Sequence, residues 1–194
     1  MNPLSHNTYL VKEHVGMFKS ANNFDIFDPS VGTLLLECRE EKLGAFTKML
    51  RFTDYKRYTP FHIEIREPNG ATLIHIKRGV SLFLSSVDVQ DSDGNLLGRF
   101  KQKFFSIGGK FDVLSPNDEP LCSLKGKWTG WNFSFGYQDV EFANVSKKWS
   151  GIGKELFTSA DNYILSIDPS IEEDSPLRAL IMAAVMCIDM VLKE

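Results

Sequence analysis

Ser175-Pro176-Leu177-Arg178-Ala179-Leu180-Ile181-Met182-Ala183-Ala184-Val185-Met186-Cys187-Ile188-Asp189-Met190-Val191-Leu192 closes the chain and decides how the rest of it is read. Ser175 has the chemistry of a helix N-cap, and Pro176 that of a first helical residue. The residues that follow are apolar on every side, so a helix at about 176–192 has to be buried, in protein or in lipid. From Leu177 to Leu192 it is about 24 Å long at 1.5 Å per residue. A bilayer core is about 30 Å thick and asks for about 20 apolar residues. Arg178 and Asp189 make insertion worse still. Length and charge therefore favour burial in protein over a membrane span.

What surrounds the helix is written upstream. Between Thr8 and about Asp168 the sequence reads as short strands. Phe61, Ile63 and Ile65 alternate with His62, Glu64 and Arg66, and Val87 and Val89 with Asp88 and Gln90. Leu96, Gly98, Phe100 and Phe104 share a face opposite Arg99, Lys101 and Lys103. Phe133 and Phe135 alternate with Asn132 and Ser134, and Tyr163, Leu165 and Ile167 with Asn162 and Ser166. Alternation with a period of two means one packed face and one wet face. Turn signals punctuate the runs: Pro68-Asn69-Gly70, Asp91-Ser92-Asp93-Gly94-Asn95, Ser115-Pro116-Asn117-Asp118-Glu119-Pro120, Thr129-Gly130 and Gly136-Tyr137-Gln138-Asp139. The count is about a dozen strands. Glu40–Phe52 departs from this pattern, with Leu43, Phe46 and Leu50 at helical spacing, and reads as an amphipathic helix or an irregular strand with a charged loop.

Strands with one apolar face need a cover, and a fully apolar helix needs a surround. A barrel of about twelve strands is wider inside than the eight-stranded kind that side chains alone can fill. A helix with its side chains is about 10–12 Å across. The economical solution is a mainly β fold: a closed antiparallel barrel of about twelve strands enclosing its own C-terminal helix, in a single domain spanning 1–194. A sandwich with the helix packed on one side also satisfies the pattern.

Composition narrows the function. The 194 residues are 43% hydrophobic and 24% charged, with 22 Lys+Arg against 25 Asp+Glu and a net charge of −3. A basic nucleic-acid-binding domain is excluded on that balance, and no nucleic-acid partner is expected. Three widely spaced cysteines, Cys38, Cys122 and Cys187, form no metal or redox pattern and fit a reducing, intracellular setting. No secretory signal opens the chain. No nucleophile elbow, zinc-protease motif or phosphate-binding glycine loop is present, so no enzymatic activity is expected.

The segment Lys148-Trp149-Ser150-Gly151…Glu155-Leu156-Phe157-Thr158-Ser159-Ala160-Asp161-Asn162-Tyr163, followed by an apolar helix ending Cys187-Ile188-Asp189-Met190, closely resembles the end of the phospholipid scramblase family. The hairpin Pro60-Phe61-His62-Ile63-Glu64-Ile65-Arg66…Asn69-Gly70…Ile74-His75-Ile76-Lys77-Arg78 resembles the same family further upstream, and Lys110-Phe111-Asp112-Val113 a third position. The likeness runs from about Phe24 to the end. The wider group takes in LURP-one-related proteins and the tubby C-terminal domain. The resemblance implies a twelve-stranded barrel around a central helix, a cytoplasmic protein peripheral to the inner face of a membrane, and phospholipid or phosphoinositide headgroups as ligands. There are departures. Animal scramblases carry a Pro-rich N-terminal extension, whereas this chain starts almost at the barrel. They carry a Cys-rich palmitoylation stretch where this chain has Glu40–Met49 without a cysteine. In the family's calcium segment, which falls at Ser159–Ser170, the acidic positions map to Ser159, Asp161 and Ser170.

Three sets of side chains are candidate sites. Lys48, Arg51, Lys56 and Arg57, with Phe46, Phe52, Tyr55 and Tyr58 among them, and Arg99, Lys101 and Lys103 along one strand face, are candidates for anionic headgroups, at about 1 kcal/mol per basic residue near a charged membrane. The bland reading makes them the wet faces of strands. Asp161, Asp168, Glu172 and Asp174, with Glu173, could serve Ca²⁺ as oxygen ligands, or form a solvated acidic loop that favours the helix N-terminus. Calcium is the one cofactor these residues suggest, and the acidic loop is the favoured reading. Should Asn69-Gly70 form a two-residue turn, Glu64 faces His75, His62 faces Lys77, and the two histidines become diagonal neighbours. A two-histidine metal site needs further ligands; none is evident from the sequence, so these read as ordinary histidines. The rival function is a soluble intracellular module that binds a protein partner and no lipid.

Overall fold

The computed structural model describes residues 2–14, 23–41, 60–79, 86–102, 111–127, 132–147 and 162–192. The candidates Lys48, Arg51, Lys56, Arg57, Lys103 and Asp161, and most of the Glu40–Phe52 segment, lie outside them. Twelve strands are described: β1 (Thr8–Glu13), β2 (Phe24–Phe27), β3 (Leu34–Glu40), β4 (Phe61–Arg66), β5 (Thr72–Arg78), β6 (Ser86–Asp91), β7 (Leu96–Gln102), β8 (Phe111–Leu114), β9 (Pro120–Lys127), β10 (Asn132–Tyr137), β11 (Val140–Ser146) and β12 (Asn162–Ile167). Helix α1 (Pro176–Leu192) follows them. Each strand pairs antiparallel with its neighbour in sequence, and β1 closes on β12 with Thr8 opposite Ser166 and Val11 opposite Tyr163. A closed meander has no free sheet edge to pair with another chain.

The two periodicities of the sequence account for the packing. Inward residues such as Ile63, Ile65, Val87, Val89, Phe133 and Phe135 are buried, and so is α1 all round from Ala179 to Cys187. The helix fills the bore that twelve strands leave open, so the sandwich alternative is set aside. Ser175 caps α1, accepting the backbone N–H of Leu177 on its Oγ at 3.3 Å. Where the helix runs close to the wall, β7 carries Gly98. A Cβ there would lie 2.3 Å from the Leu114 carbonyl oxygen and 3.0 Å from a Leu180 methyl.

The hairpins depart from the simplest expectation in a repeated way. The 67–71 turn is a three-residue loop rather than a two-residue one: Glu67 N–H bonds the Ala71 carbonyl, and Gly70 takes φ +91. One step further, Ile65 pairs Ile74 while Arg66 pairs Thr72, so Leu73 is an extra residue, a β-bulge that restores the register. Leu35, Leu97, Leu121 and Phe142 are skipped in the same manner beside the next hairpins. All five bulge residues are hydrophobic and pack against the core. The bulge also corrects a face assignment. Leu96 pairs Gln90 on the outer side, and Leu97 takes the inward place expected for Leu96. Asn162, expected on the wet face, is buried.

Arg178 ties the barrel seam to the helix. It is 2% exposed. Its guanidinium donates to the carbonyls of Ile171 (2.7 Å), Glu172 (2.9 Å) and His6 (2.9 Å) and to Asn7 Oδ1 (2.8 Å). Those acceptors sit on the segment leading into β1 and on the β12–α1 connection, so one side chain joins both ends of the chain. Five fixed N–H donors suit a nest of carbonyls in a way that a lysine ammonium does not.

Candidate ligand-binding surfaces

The meander gathers one set of acidic loops at one end of the barrel. Loops 28–33, 67–71, 92–95, 115–119 and 138–139 and the β12–α1 connection 168–175 gather at the end where α1 enters. They carry Asp28, Glu67, Asp93, Asp118, Glu119, Asp139, Asp168, Glu172, Glu173 and Asp174, and no Lys or Arg. At the other end the strands are joined through residues outside the described set. As sequence, these carry Lys19, Lys42, Lys48, Arg51, Lys56, Arg57, Lys103, Lys110, Lys148 and Lys154 against Asp54, Glu155 and Asp161, together with all three Trp. The exposed hydrophobics Val31, Tyr137 and Val140 lie at hairpin tips of the acidic end.

Arg99 and Lys101, the described strand-face cations, are already engaged. Arg99 Nε lies 3.2 Å from Asp88 and its NH1 2.9 Å from Asp118; Lys101 Nζ lies 3.3 Å from Asp118. The Arg99 hydrogen bond, then that of Lys101, hold the Asp118 carboxyl below the usual range. Asp118 reaches the pair because it occupies the left-handed third position of its loop, φ 64. Such exposed pairs are worth little in stability, but a headgroup would have to displace a carboxylate to use them.

The described members of the calcium set are turn-formers. Asp168 Oδ1 accepts the Ser170 backbone N–H at 2.8 Å, and hydrogen bonds from Ser170 lower its pKa. Glu172, Glu173 and Asp174 are exposed. Among the described residues, Asp168, Glu172 and Asp174 are not brought together as three converging ligands.

A different group is brought together. On the outer face of the β4–β5 hairpin, His62, Glu64 and His75 place one ligand atom each within 4.8 Å of one another. His62 Nε2 lies 3.1 Å from His75 Nδ1, and His75 Nδ1 lies 3.5 Å from Glu64 Oε1. Glu41 closes the far side of His62, its Oε2 3.0 Å from His62 Nδ1. Its backbone N–H also bonds the His62 carbonyl at 3.0 Å. The Glu64–His75 and His62–Lys77 pairings are those read from the sequence. The sequence by itself shows no further ligand; the structure supplies one in Glu64, the cross-strand partner of His75, and brings up Glu41, which no local pattern announces.

The cysteines are inert by burial. Cys38, Cys122 and Cys187 are free and fully buried. Burial pushes the Cys122 thiol up to about 12 and raises Cys38 and Cys187 well above the ordinary range.

Comparison with known proteins places this architecture. The scramblase family profile matches residues 7–194. The chain belongs to the scramblase family. It is 25% identical over 148 residues to human phospholipid scramblase family member 5, covering 68% of this chain and 54% of that protein. It is 22% identical over 214 aligned positions to a phospholipid scramblase family protein of Schizosaccharomyces pombe, covering 98% and 56%. It is 24% identical to human phospholipid scramblase 2, covering 69% and 49%. The chain thus spans about half the length of the curated relatives it matches. An X-ray structure of an Arabidopsis thaliana protein superposes with a TM-score of 0.56 at 16% identity, covering 94% of this chain and 91% of that one, which speaks to the fold. Among the described residues of this family member, no helix is long and apolar enough to cross a membrane.

Proposed function

We propose that this scramblase-family barrel binds anionic phospholipid headgroups at a membrane surface, its basic end toward the lipid and its acidic end away. The reading is carried by family membership together with the basic, Trp-bearing sequence of the segments that join the strands between the acidic loops. A basic, Trp-bearing end suits the headgroup layer, where aromatic rings settle and each cation contributes about 1 kcal/mol. The outward strand residues His62, Glu64 and Arg66 are polar, unlike the apolar outer band of a membrane-spanning barrel.

Flotation of the purified chain with vesicles tests this. Binding to phosphatidylserine- or phosphoinositide-containing vesicles but not to neutral ones, with at least about a 10-fold loss when Lys48, Arg51, Lys56 and Arg57 are changed to Gln, is the expected result. Equal binding to neutral vesicles, or indifference to all of them, overturns it. With α1 filling the bore, dye-labelled lipid in reconstituted vesicles is expected to cross no faster than in empty ones, with or without calcium.

The rival reading, a module for a protein partner, has an observation of its own. Val31, Tyr137 and Val140 are exposed among the carboxylates of the acidic end, a composition suited to a basic partner with an apolar anchor.

A further inference from the structure

We infer that His62, Glu64 and His75, braced by Glu41, form a binding site for a divalent transition-metal ion, of which zinc is the representative. The argument begins with distances. Zinc–nitrogen bonds of about 2.0–2.1 Å at a tetrahedral angle put two ligand nitrogens about 3.3 Å apart. His62 Nε2 and His75 Nδ1 stand 3.1 Å apart. Glu64 Oε1, 3.5 Å from His75 Nδ1, lies at the spacing a third ligand needs. Two imidazoles and one carboxylate suit zinc, copper or nickel, whereas calcium asks for an all-oxygen shell.

The surroundings are built in the way such sites require. A ligating histidine almost always gives its second ring N–H to a carboxylate or carbonyl, which fixes the tautomer and leaves the other nitrogen's lone pair toward the metal. Glu41 Oε2 does this at His62 Nδ1, at 3.0 Å, so Nε2 is the nitrogen that faces His75. Glu41 is itself held by its backbone N–H bond to the His62 carbonyl. Glu64 and His75 are fixed by a directly opposed strand pairing, and His62 occupies the same strand face two residues away. All three ligands are half-buried, with side chains 19–27% exposed. An ion could therefore enter from solvent and keep a coordination position open to water. The competing account of the 3.1 Å contact is a plain hydrogen bond between two neutral rings, with no metal involved.

The test uses the full chain, free of any affinity tag and stripped with a chelator, titrated with zinc against a chromophoric competitor. One zinc per chain is expected, and cobalt(II) in its place should give a visible d–d spectrum. His75→Ala and His62→Asn should each weaken binding by more than about 10-fold, and Glu41→Gln by about 10–100-fold. His14→Asn, which alters a histidine on another strand pair, should leave it unchanged. Circular dichroism and urea midpoints of the metal-free variants check that each is folded. Should His62→Asn destabilise the hairpin, Glu64→Gln replaces it as the ligand variant. Failure of the wild-type chain to take up one equivalent, or uptake that survives the His62→Asn/His75→Ala double change, overturns the assignment.

Discussion

Removing the Arg178 guanidinium is the sharpest probe of how this barrel is held shut. The side chain is essentially out of solvent and donates four short hydrogen bonds, three to backbone carbonyls and one to Asn7. Hydrogen bonds to a charged group contribute about 1.5–3 kcal/mol each before desolvation of the charge is counted against them. That desolvation costs several kcal/mol, so the intact network is close to balance. Truncation is not close to balance, because Arg178→Met leaves the buried Ile171 carbonyl and the part-buried Glu172 and His6 carbonyls without their donor. We expect a loss of about 3–5 kcal/mol, the range found when one partner of a buried polar network is removed. In a chain of this size, 1 kcal/mol corresponds to about 2–4 °C in melting temperature, so Arg178→Met should melt roughly 6–20 °C lower. Arg178→Lys keeps the charge but loses the planar fork, and should recover less than half of the loss. Urea unfolding followed by tryptophan fluorescence gives both numbers. A Met variant within 1 kcal/mol of wild type, or a Lys variant indistinguishable from it, would refute the view of Arg178 as the clasp of the seam.

Gly98→Ala should destabilise by about 1–3 kcal/mol, measured by the same urea titration, because the new methyl meets the Leu114 carbonyl and the Leu180 side chain and neither backbone nor helix has room to move. None of the three cysteines should react with a thiol reagent at pH 8 in the native protein, and all three should react in 6 M guanidinium, since burial keeps every thiol protonated and out of reach; a fast-reacting Cys187 would mean that α1 leaves the bore. Burial works against ionisation of Asp25, but hydrogen bonds from His14 and Arg39 outweigh it and hold its carboxyl below 3.8. A lowered folded pKa contributes stability that is present above the unfolded value and lost as the pH falls through the folded one. Asp25→Asn should therefore be less stable than wild type at pH 6, with the difference shrinking below pH 3.8, as read from urea midpoints across that range.

Much of this fold could be read from the chain because its two signals are unambiguous and mutually dependent. A 17-residue helix apolar on all sides has no stable place on a surface, and strands alternating as regularly as Phe61–Arg66 have one face to hide. Each supplies what the other lacks. Register was readable in the β4–β5 hairpin as far as the middle of the strands, because the three-residue loop and the Leu73 bulge cancel. The bulge itself was not readable: Leu96 and Leu97 are both leucine, and only the ladder decides which of them turns inward. The headgroup candidates were harder for a different reason. A cation on a strand face looks the same in sequence whether it awaits a ligand or is already paired, and Arg99 meets Asp118 across 19 residues through a loop conformation that no local pattern announces. The histidine cluster was half visible. Cross-strand pairing gave Glu64 and His75, whereas Glu41 comes to His62 by the pairing of β3 with β4, across a stretch of chain whose sequence gives no register.

Leu180, Ile181, Met182, Val185 and Met186 are buried against the barrel wall. At about 1.5–3 kcal/mol for each large apolar side chain, withdrawing them costs on the order of 10 kcal/mol. That is the whole stability of an ordinary domain, so α1 cannot leave the bore without the barrel unfolding. Anionic lipid can repay about 1 kcal/mol per cation it meets, and the described loops at the end where α1 enters carry no Lys or Arg. Lipid contact elsewhere on the barrel would not act on the N-terminal turn of the helix, which Arg178 locks to the seam. The proposed association with a membrane is therefore compatible with an intact plug, and it would use the outer surface of the barrel rather than a path through it.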